Sequence, residues 1–263
     1  MTEITPLDAA HAAMEAAPQD DAARLRFYER LADGELFVLL AKEAEGDNIE
    51  PELFELGDAS FVLVFDREER LSQFVGREAP YAALSGRIAA NMLAGQSIGL
   101  ALNLEVAPSQ MLLPPEAVDW LSETLGHGPQ ETEAHIEEVS PPGGLPEVLV
   151  TALDTKLATA TGLARCAWLA GVAYSDGTRS HLLAFAGTVP GAEEALARAV
   201  NEALVFSGIE AGALDVAFVR DSDPLAASLT RVGLRFDLPE PEAPAKVERI
   251  APGSDPKSPP ILR

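Results

Sequence analysis

Short apolar runs alternate with polar or glycine-marked breaks along this chain, and the spacing inside each run predicts an element. Residues 7–32 predict one or two helices, because Leu25, Tyr28 and Leu31 recur near helical spacing. Asp20 and Asp21 sit where acidic side chains favour a helix start, and Asp33-Gly34 predicts a left-handed glycine cap at its end. Three strands follow over 35–41, 52–56 and 60–66, with the polar, acidic stretch 42–51 as an exposed loop. Tyr81, Leu84, Ile88 and Met92 fall on one helical stripe that stops at Gly95. Residues 97–104 read as a buried strand. Pro114-Pro115-Glu116 opens a helix with an apolar face of Val118, Leu121 and Leu125, and Trp120 at its flank.

The second half repeats this style of patterning. Leu149, Leu153 and Leu157 mark a helix, and 165–174 and 179–186 are strands flanking a Ser175-Asp176-Gly177-Thr178 turn. Counting outward from that turn pairs Tyr174 with Arg179 and sets His181 opposite Val172. Ala192, Ala195, Leu196, Ala199, Val200, Ala203 and Leu204 keep helical period, and Leu214, Val216 and Phe218 alternate as a strand. Asp223-Pro224 supplies a cap and first-turn proline for a helix bearing Leu225, Leu229 and Val232, closed by Gly233. Leu234, Phe236 and Leu238 form a last strand. Between the halves, 127–146 lacks periodicity and predicts a linker, with a short helical turn around 133–139. The expected fold is α+β: two small domains, 1–126 and 147–238, each a mixed β-sheet covered by helices. A tail over 239–263, dense in Pro, Glu, Ala and Ser, predicts disorder, and its Pro259-Pro260-Ile261-Leu262-Arg263 reads as a frayed end rather than a recognition peptide.

Composition narrows the function classes. At 263 residues and 47% hydrophobic, the chain can bury two modest cores. Its 42 acidic against 19 basic residues give a net charge of −23, which disfavours nucleic acid and anionic lipid, because phosphate binding depends on Lys and Arg. The lone Cys166 excludes an intramolecular disulfide and fits a reducing compartment. No basic segment followed by an apolar core opens the chain, and no apolar run approaches the roughly 20 residues of a membrane span, so a cytoplasmic protein is expected.

Residues able to do chemistry are sparse. His127 and His135 lie among Glu131, Glu133, Glu137 and Glu138, but their spacing fits no zinc pattern. Cys166 and His181 could suggest a thiol–imidazole pair, yet the expected register separates them and an apolar setting leaves a thiol inert. The chain holds no Gly-x-Gly-x-x-Gly, Gly-Lys-Ser/Thr or Gly-x-Ser-x-Gly motif. Glu43, Glu45, Asp47 and Glu50 lack the order of a calcium loop. No catalytic residue, cofactor or metal is expected.

One stretch resembles a known family. Leu36-Phe37-Val38-Leu39-Leu40, a Gly57-Asp58 turn, Phe61-Val62-Leu63-Val64-Phe65-Asp66 and Arg67-Glu68-Glu69-Arg70-Leu71 come in order. Gly99-Leu100-Ala101-Leu102-Asn103 and Leu112-Leu113-Pro114-Pro115-Glu116 complete it. This succession is similar to the amino-terminal domain of the SseB family, named for enhanced serine sensitivity. The second half resembles its carboxy-terminal companion in length, position and element order. The resemblance implies a fold more than a reaction, and an association with protein secretion, stress or amino-acid sensitivity. The family's Asn-Pro-Gly-like text after the strand is replaced here by Leu104-Glu105 following Asn103. That loop, with Asn103, Glu105, Pro108, Ser109 and Gln110, is a candidate interaction surface; the preferred reading is that Asn103 satisfies backbone groups at a strand end. The functional expectation is a non-enzymatic accessory or regulatory factor binding an unidentified protein partner, with no nucleic acid or membrane. The rival is a small-molecule binder or enzyme with a site between the domains involving Arg87, Asn103 or His181.

Overall fold

A computed structural model describes residues 4–46, 48–57, 59–126, 134–208 and 214–241. The chain opens with two helices, α1 (Pro6–Ala16) and α2 (Asp21–Asp33). Thr5 and Asp8 form a reciprocal capping box at the start of α1, and Asp20 caps α2 by accepting from the Ala22 N–H. There follow β1 (Glu35–Leu39), β2 (Leu53–Leu56), β3 (Ala59–Phe65), α3 (Glu68–Val75), β4 (Tyr81–Ser85) and α4 (Gly86–Leu93). Then come β5 (Ile98–Leu102), β6 (Met111–Leu113) and α5 (Pro115–Gly126). The sheet runs β4-β1-β3-β5-β6, with β2 beside the first half of β3. Leu36, Val38, Val62, Val64, Leu100 and Leu102 face α2, α4 and α5, where Phe27, Leu31, Ala90 and Leu121 meet them. The opposite face, Phe61, Leu63 and Phe65, packs against Leu71 and Phe74 of α3.

Three expectations change here. Tyr81 and Leu84 belong to a strand, β4, antiparallel to β1; the helix begins only at Gly86, where Ser85 caps it. Its buried face is Ala89, Ala90 and Leu93, and Ile88 is exposed. Gly86 lies so close to α2 that a Cβ would sit 1.8 Å from the Leu31 carbonyl oxygen, so the first residue of the helix has to be glycine. Gly34 ends α2 with φ −71°, an extended cap in place of the left-handed one, and glycine is needed because a Cβ would come within 2.9 Å of the Arg30 oxygen. Strand β6 has no counterpart in the sequence reading.

The second half contains β7 (Ile136–Ser140), α6 (Glu147–Leu157), β8 (Cys166–Tyr174) and β9 (Arg179–Ala186). It continues with α7 (Glu193–Phe206), β10 (Leu214–Val219), α8 (Pro224–Val232) and β11 (Leu234–Asp237). The sheet runs β10-β9-β8-β11, and β7 pairs with the far end of β8. Helices α6 and α7 cover one face through Leu149, Leu153, Leu196 and Val200. Helix α8 covers the other, bringing Ala226 and Leu229 to Trp168, Ala170 and Leu182. Both sheets follow one plan: an antiparallel pair (β1–β3, β8–β9), a strand parallel to its second member (β5, β10), and one antiparallel to its first (β4, β11).

The linker expectation fails over 136–140, which is strand and not helical turn. A register shift between Ile136 and Glu138 breaks the alternation, so Ile136 and Val139 pack toward the same core and hide the period of two. The hairpin register is also one residue from the expected one. The Tyr174 N–H donates to the Thr178 oxygen and Gly177 takes φ +85°, a loop one residue shorter than counted, with a left-handed glycine. Ala173 therefore faces Arg179 and Gly171 faces His181, while Cys166 faces Ala186.

The halves share a core. Phe206 of α7 packs into the first half's apolar cluster beside α2. Past β11, the Gly162 N–H donates to the Pro239 oxygen, so the start of the expected tail is held on the body. The rest of that tail, His127, Asp47 and 127–133 lie outside the described residues.

Candidate functional site

Two charged assemblies stand out, one inside the first half and one between the halves. In the first, Asp66 follows β3 and Arg70 lies one turn on, at the start of α3. The Arg70 guanidinium, 1% exposed, donates through Nη1 to Asp8 Oδ1 (3.0 Å) and Asp66 Oδ1 (2.7 Å), and through Nη2 to Asp8 Oδ2 (2.5 Å). Ser109 Oγ donates to Asp8 Oδ1 (2.5 Å), and Asn103 Nδ2 donates to Ser109 Oγ (2.9 Å). Asn103 Oδ1 accepts from the Asp66 N–H (3.1 Å), and Thr5 Oγ1 donates to Asp66 Oδ2 (2.6 Å). Burial alone would lift the Asp8 carboxyl, but hydrogen bonds from Arg70, Ser109 and Thr5 outweigh it and hold it well below the usual range. Burial likewise opposes the Arg70 charge, and Asp8 with Asp66 more than offsets it. The network clamps α1, the end of β3, α3 and the 103–110 loop together.

Of the five loop residues expected at a recognition surface, this network takes two. Asn103 and Ser109 are fully buried, and Asn103 holds φ +48° to reach its partners. Glu105, Pro108 and Gln110 are exposed, and the Glu105 N–H donates to Gln110 Oε1 at 3.2 Å. Asn103 thus satisfies the Asp66 N–H on the neighbouring strand's end and a buried hydroxyl besides. Asp8, Asp66 and Arg70 were not singled out in the sequence; only the Asp66–Arg70 spacing of one helical turn hinted at their pairing.

The second assembly joins the halves. Arg87, at the start of α4, donates to Glu202 Oε1 (2.8 Å), Glu202 Oε2 (3.0 Å) and Asp33 Oδ1 (2.9 Å). Lys156 Nζ of α6 lies 2.7 Å from Asp33 Oδ2, 2.7 Å from Glu202 Oε2 and 4.0 Å from Glu29 Oε1. Burial would raise the Glu202 carboxyl, but Arg87 and Lys156 bring it below its ordinary value. Burial raises the Glu29 carboxyl, whose Oε1 has no hydrogen-bond partner, and Lys156 only partly offsets this. Beside these groups opens a groove of about 470 Å³ running along one face of α7. Gly191, Ala195, Ala199, Ala160 and Leu163 line it between the charges of Glu194 and Arg198 and the end formed by Asp33, Arg87, Lys156 and Glu202.

The comparison with known families meets this geometry in the first half. Residues 7–120, from α1 into α5, match the family model described as SseB protein N-terminal domain. This stretch is an SseB N-terminal domain. Neither a curated protein nor a solved structure matches the chain. The SseB domain contains the Asp8–Arg70 network apart from Thr5 and contributes Glu29, Asp33 and Arg87 to the shared cluster; Lys156, Glu202 and most of the groove lie beyond it.

Of the three residues expected at a site between the halves, Arg87 of the SseB domain lines the groove, Asn103 belongs to the buried network, and neither Asn103 nor His181 lines the groove. His181 Nε2 lies 2.9 Å from the Gly143 oxygen. Cys166 is buried in the α8-side core. Among the described residues no group of acidic, His and Cys side chains could hold a metal, and no helix is long and apolar enough to cross a membrane.

Proposed function

We propose that this chain is a non-catalytic cytoplasmic accessory protein that takes an extended segment of a partner protein into the groove along α7. The groove's form supports the reading. It follows one helix face over the roughly 16 Å between Gly191 and Glu202 and offers a small-residue floor with charges of both signs beside it. An extended peptide presents alternating side chains to such a surface. With a net charge of −23 on the chain, a basic segment is favoured electrostatically. A second reading, a small polar ligand at the Arg87–Lys156 end, draws on the groove's volume, which suits such a molecule.

The test places a photoreactive residue at Ala199, with Leu56, exposed and outside the groove lining, as the control, in the native host. Linkage of another polypeptide from position 199, lost in the groove-filling Ala195→Trp variant, is expected. Polypeptides linked from position 56 alone would sink the reading, and a small molecule displaced by Ala195→Trp would replace it with the second.

A further inference from the structure

Where the two halves meet at one end of the groove, positive charge is short by one. Three carboxylates, Glu29, Asp33 and Glu202, share Arg87 and Lys156, and among the described residues no other cation comes within 4.0 Å of them. Arg30, beside Glu29 on α2, attracts it less strongly than Asp33 repels it. The shortage falls on Glu29. Its side chain is 8% exposed, its Oε1 makes no hydrogen bond, and that oxygen faces Lys156 Nζ across 4.0 Å. Lys156 is held instead at 2.7 Å by both Asp33 Oδ2 and Glu202 Oε2. An advance of about 1.2 Å would carry Nζ into a charge-assisted hydrogen bond with Glu29, a small swing for a flexible four-carbon stem. That swing leaves Asp33 Oδ2 in need of another cation.

Asp33 is the carboxylate that a cation from solvent reaches. It lines the groove and its side chain is 23% exposed, against 8% for Glu29 and 3% for Glu202. Arg87 Nη2 already holds Asp33 Oδ1, so Oδ2 is the oxygen that opens when Lys156 turns away. A single oxygen suits an ammonium, a compact point charge, whereas a guanidinium fork is matched by two. Ala195, Ala199 and Glu202 stand at i, i+4 and i+7 of α7 and share one face, so an aliphatic stem lying on the two alanines ends at the carboxylates. We propose that this end of the groove is a pocket for one lysine ammonium of the bound partner segment, which takes Asp33 from Lys156 while Lys156 turns to Glu29. The pocket rests on the groove being a peptide site. With the segment bound, each of the three carboxylates has a cation, and the buried Glu29 oxygen gains the hydrogen bond it lacks.

The probe is n-butylammonium chloride, the lysine side chain without its backbone. It is titrated into the purified full chain, isotope-labelled at the Asp and Glu carboxyl carbons and followed by NMR. Saturable shifts at Asp33 and Glu29 together are expected, where sodium chloride at equal ionic strength gives none. The n-butylguanidinium ion should bind about tenfold more weakly, the worth of one hydrogen bond to a charged group. Asp33→Asn and the groove-filling Ala195→Trp should each abolish the response. Ala195→Trp leaves every carboxylate in place, so its result decides the matter if Asp33→Asn does not fold. Shifts that grow linearly with the probe, that survive Ala195→Trp, or that appear at Asp33 without Glu29 overturn the proposal. Crosslinking in the host separates the two readings. A polypeptide linked from position 199 beside a silent titration keeps the peptide site and loses the ammonium pocket. A responsive titration with no polypeptide linked there loses the peptide reading and, with it, the lysine of a bound segment.

Discussion

Arg70 stays charged under nearly complete burial because two carboxylates and their hydroxyl and amide neighbours meet it. Such an assembly nets little by itself, since desolvation offsets most of the attraction, but breaking it strands a buried charge. Arg70→Met is therefore expected to lose about 3–5 kcal/mol of stability in urea denaturation. The pH dependence has a definite sign. The Asp8 carboxyl is held below its ordinary value in the folded chain. Its contribution is thus complete above the unfolded value of about 3.9 and is lost as the pH falls below it. Denaturation midpoints measured from pH 7 to 3 should fall more shallowly in Asp8→Asn than in the parent. Glu29 behaves oppositely, because burial raises its carboxyl and its ionised form weighs against folding as the pH rises. Glu29→Gln should raise the midpoint at pH 7 and lose that advantage as the solution is acidified. Little of this was legible beforehand: Ser109 and Asp8 stand 101 positions apart, and no local pattern joins them.

At the scale of elements, a regular period was readable where one face alone is buried. Val118, Leu121 and Leu125 fix α5 in this way. The stripe Tyr81, Leu84, Ile88 and Met92 fits the same period and misleads, because Tyr81 and Leu84 pair with Leu39 and Leu36 of β1, and the helix starts only after the Ser85 cap, at Gly86, which packs on Leu31 of α2. That contact is long-range and leaves no periodic trace. It also reverses a common expectation. Gly→Ala inside a helix ordinarily gains up to about 1 kcal/mol, but Gly86→Ala should lose about 1–3 kcal/mol through steric conflict with Leu31, read as a lowered melting temperature. The hairpin was legible in position and not in register, since Gly177 shortens the loop by one residue. The bulge in β7 concealed that strand by the same kind of local irregularity.

The whole molecule is tied across its middle by Phe206 in the first half's core and by the Arg87–Glu202 and Lys156–Asp33 pairs. The two tryptophans report on opposite sides of this joint: Trp120 on α5 and Trp168 on β8. Urea unfolding followed by fluorescence in Trp120→Phe and in Trp168→Phe should give coincident transitions, and well-separated midpoints would show that the halves unfold independently. Of the joint, Arg87 alone was expected from the sequence; its partners left no local pattern, because the joint pairs α2 and α4 with α6 and α7 across the break at 127–146. It also sets a condition on biosynthesis. Roughly 80 residues separate Leu125, the last buried position of α5, from Phe206, so at about 5–20 residues per second the ribosome exposes the SseB domain for some 4–16 seconds before its core can be completed. Nascent chains stalled before α7 should therefore be found with chaperones or in the insoluble fraction, although every residue of the SseB domain has already been made.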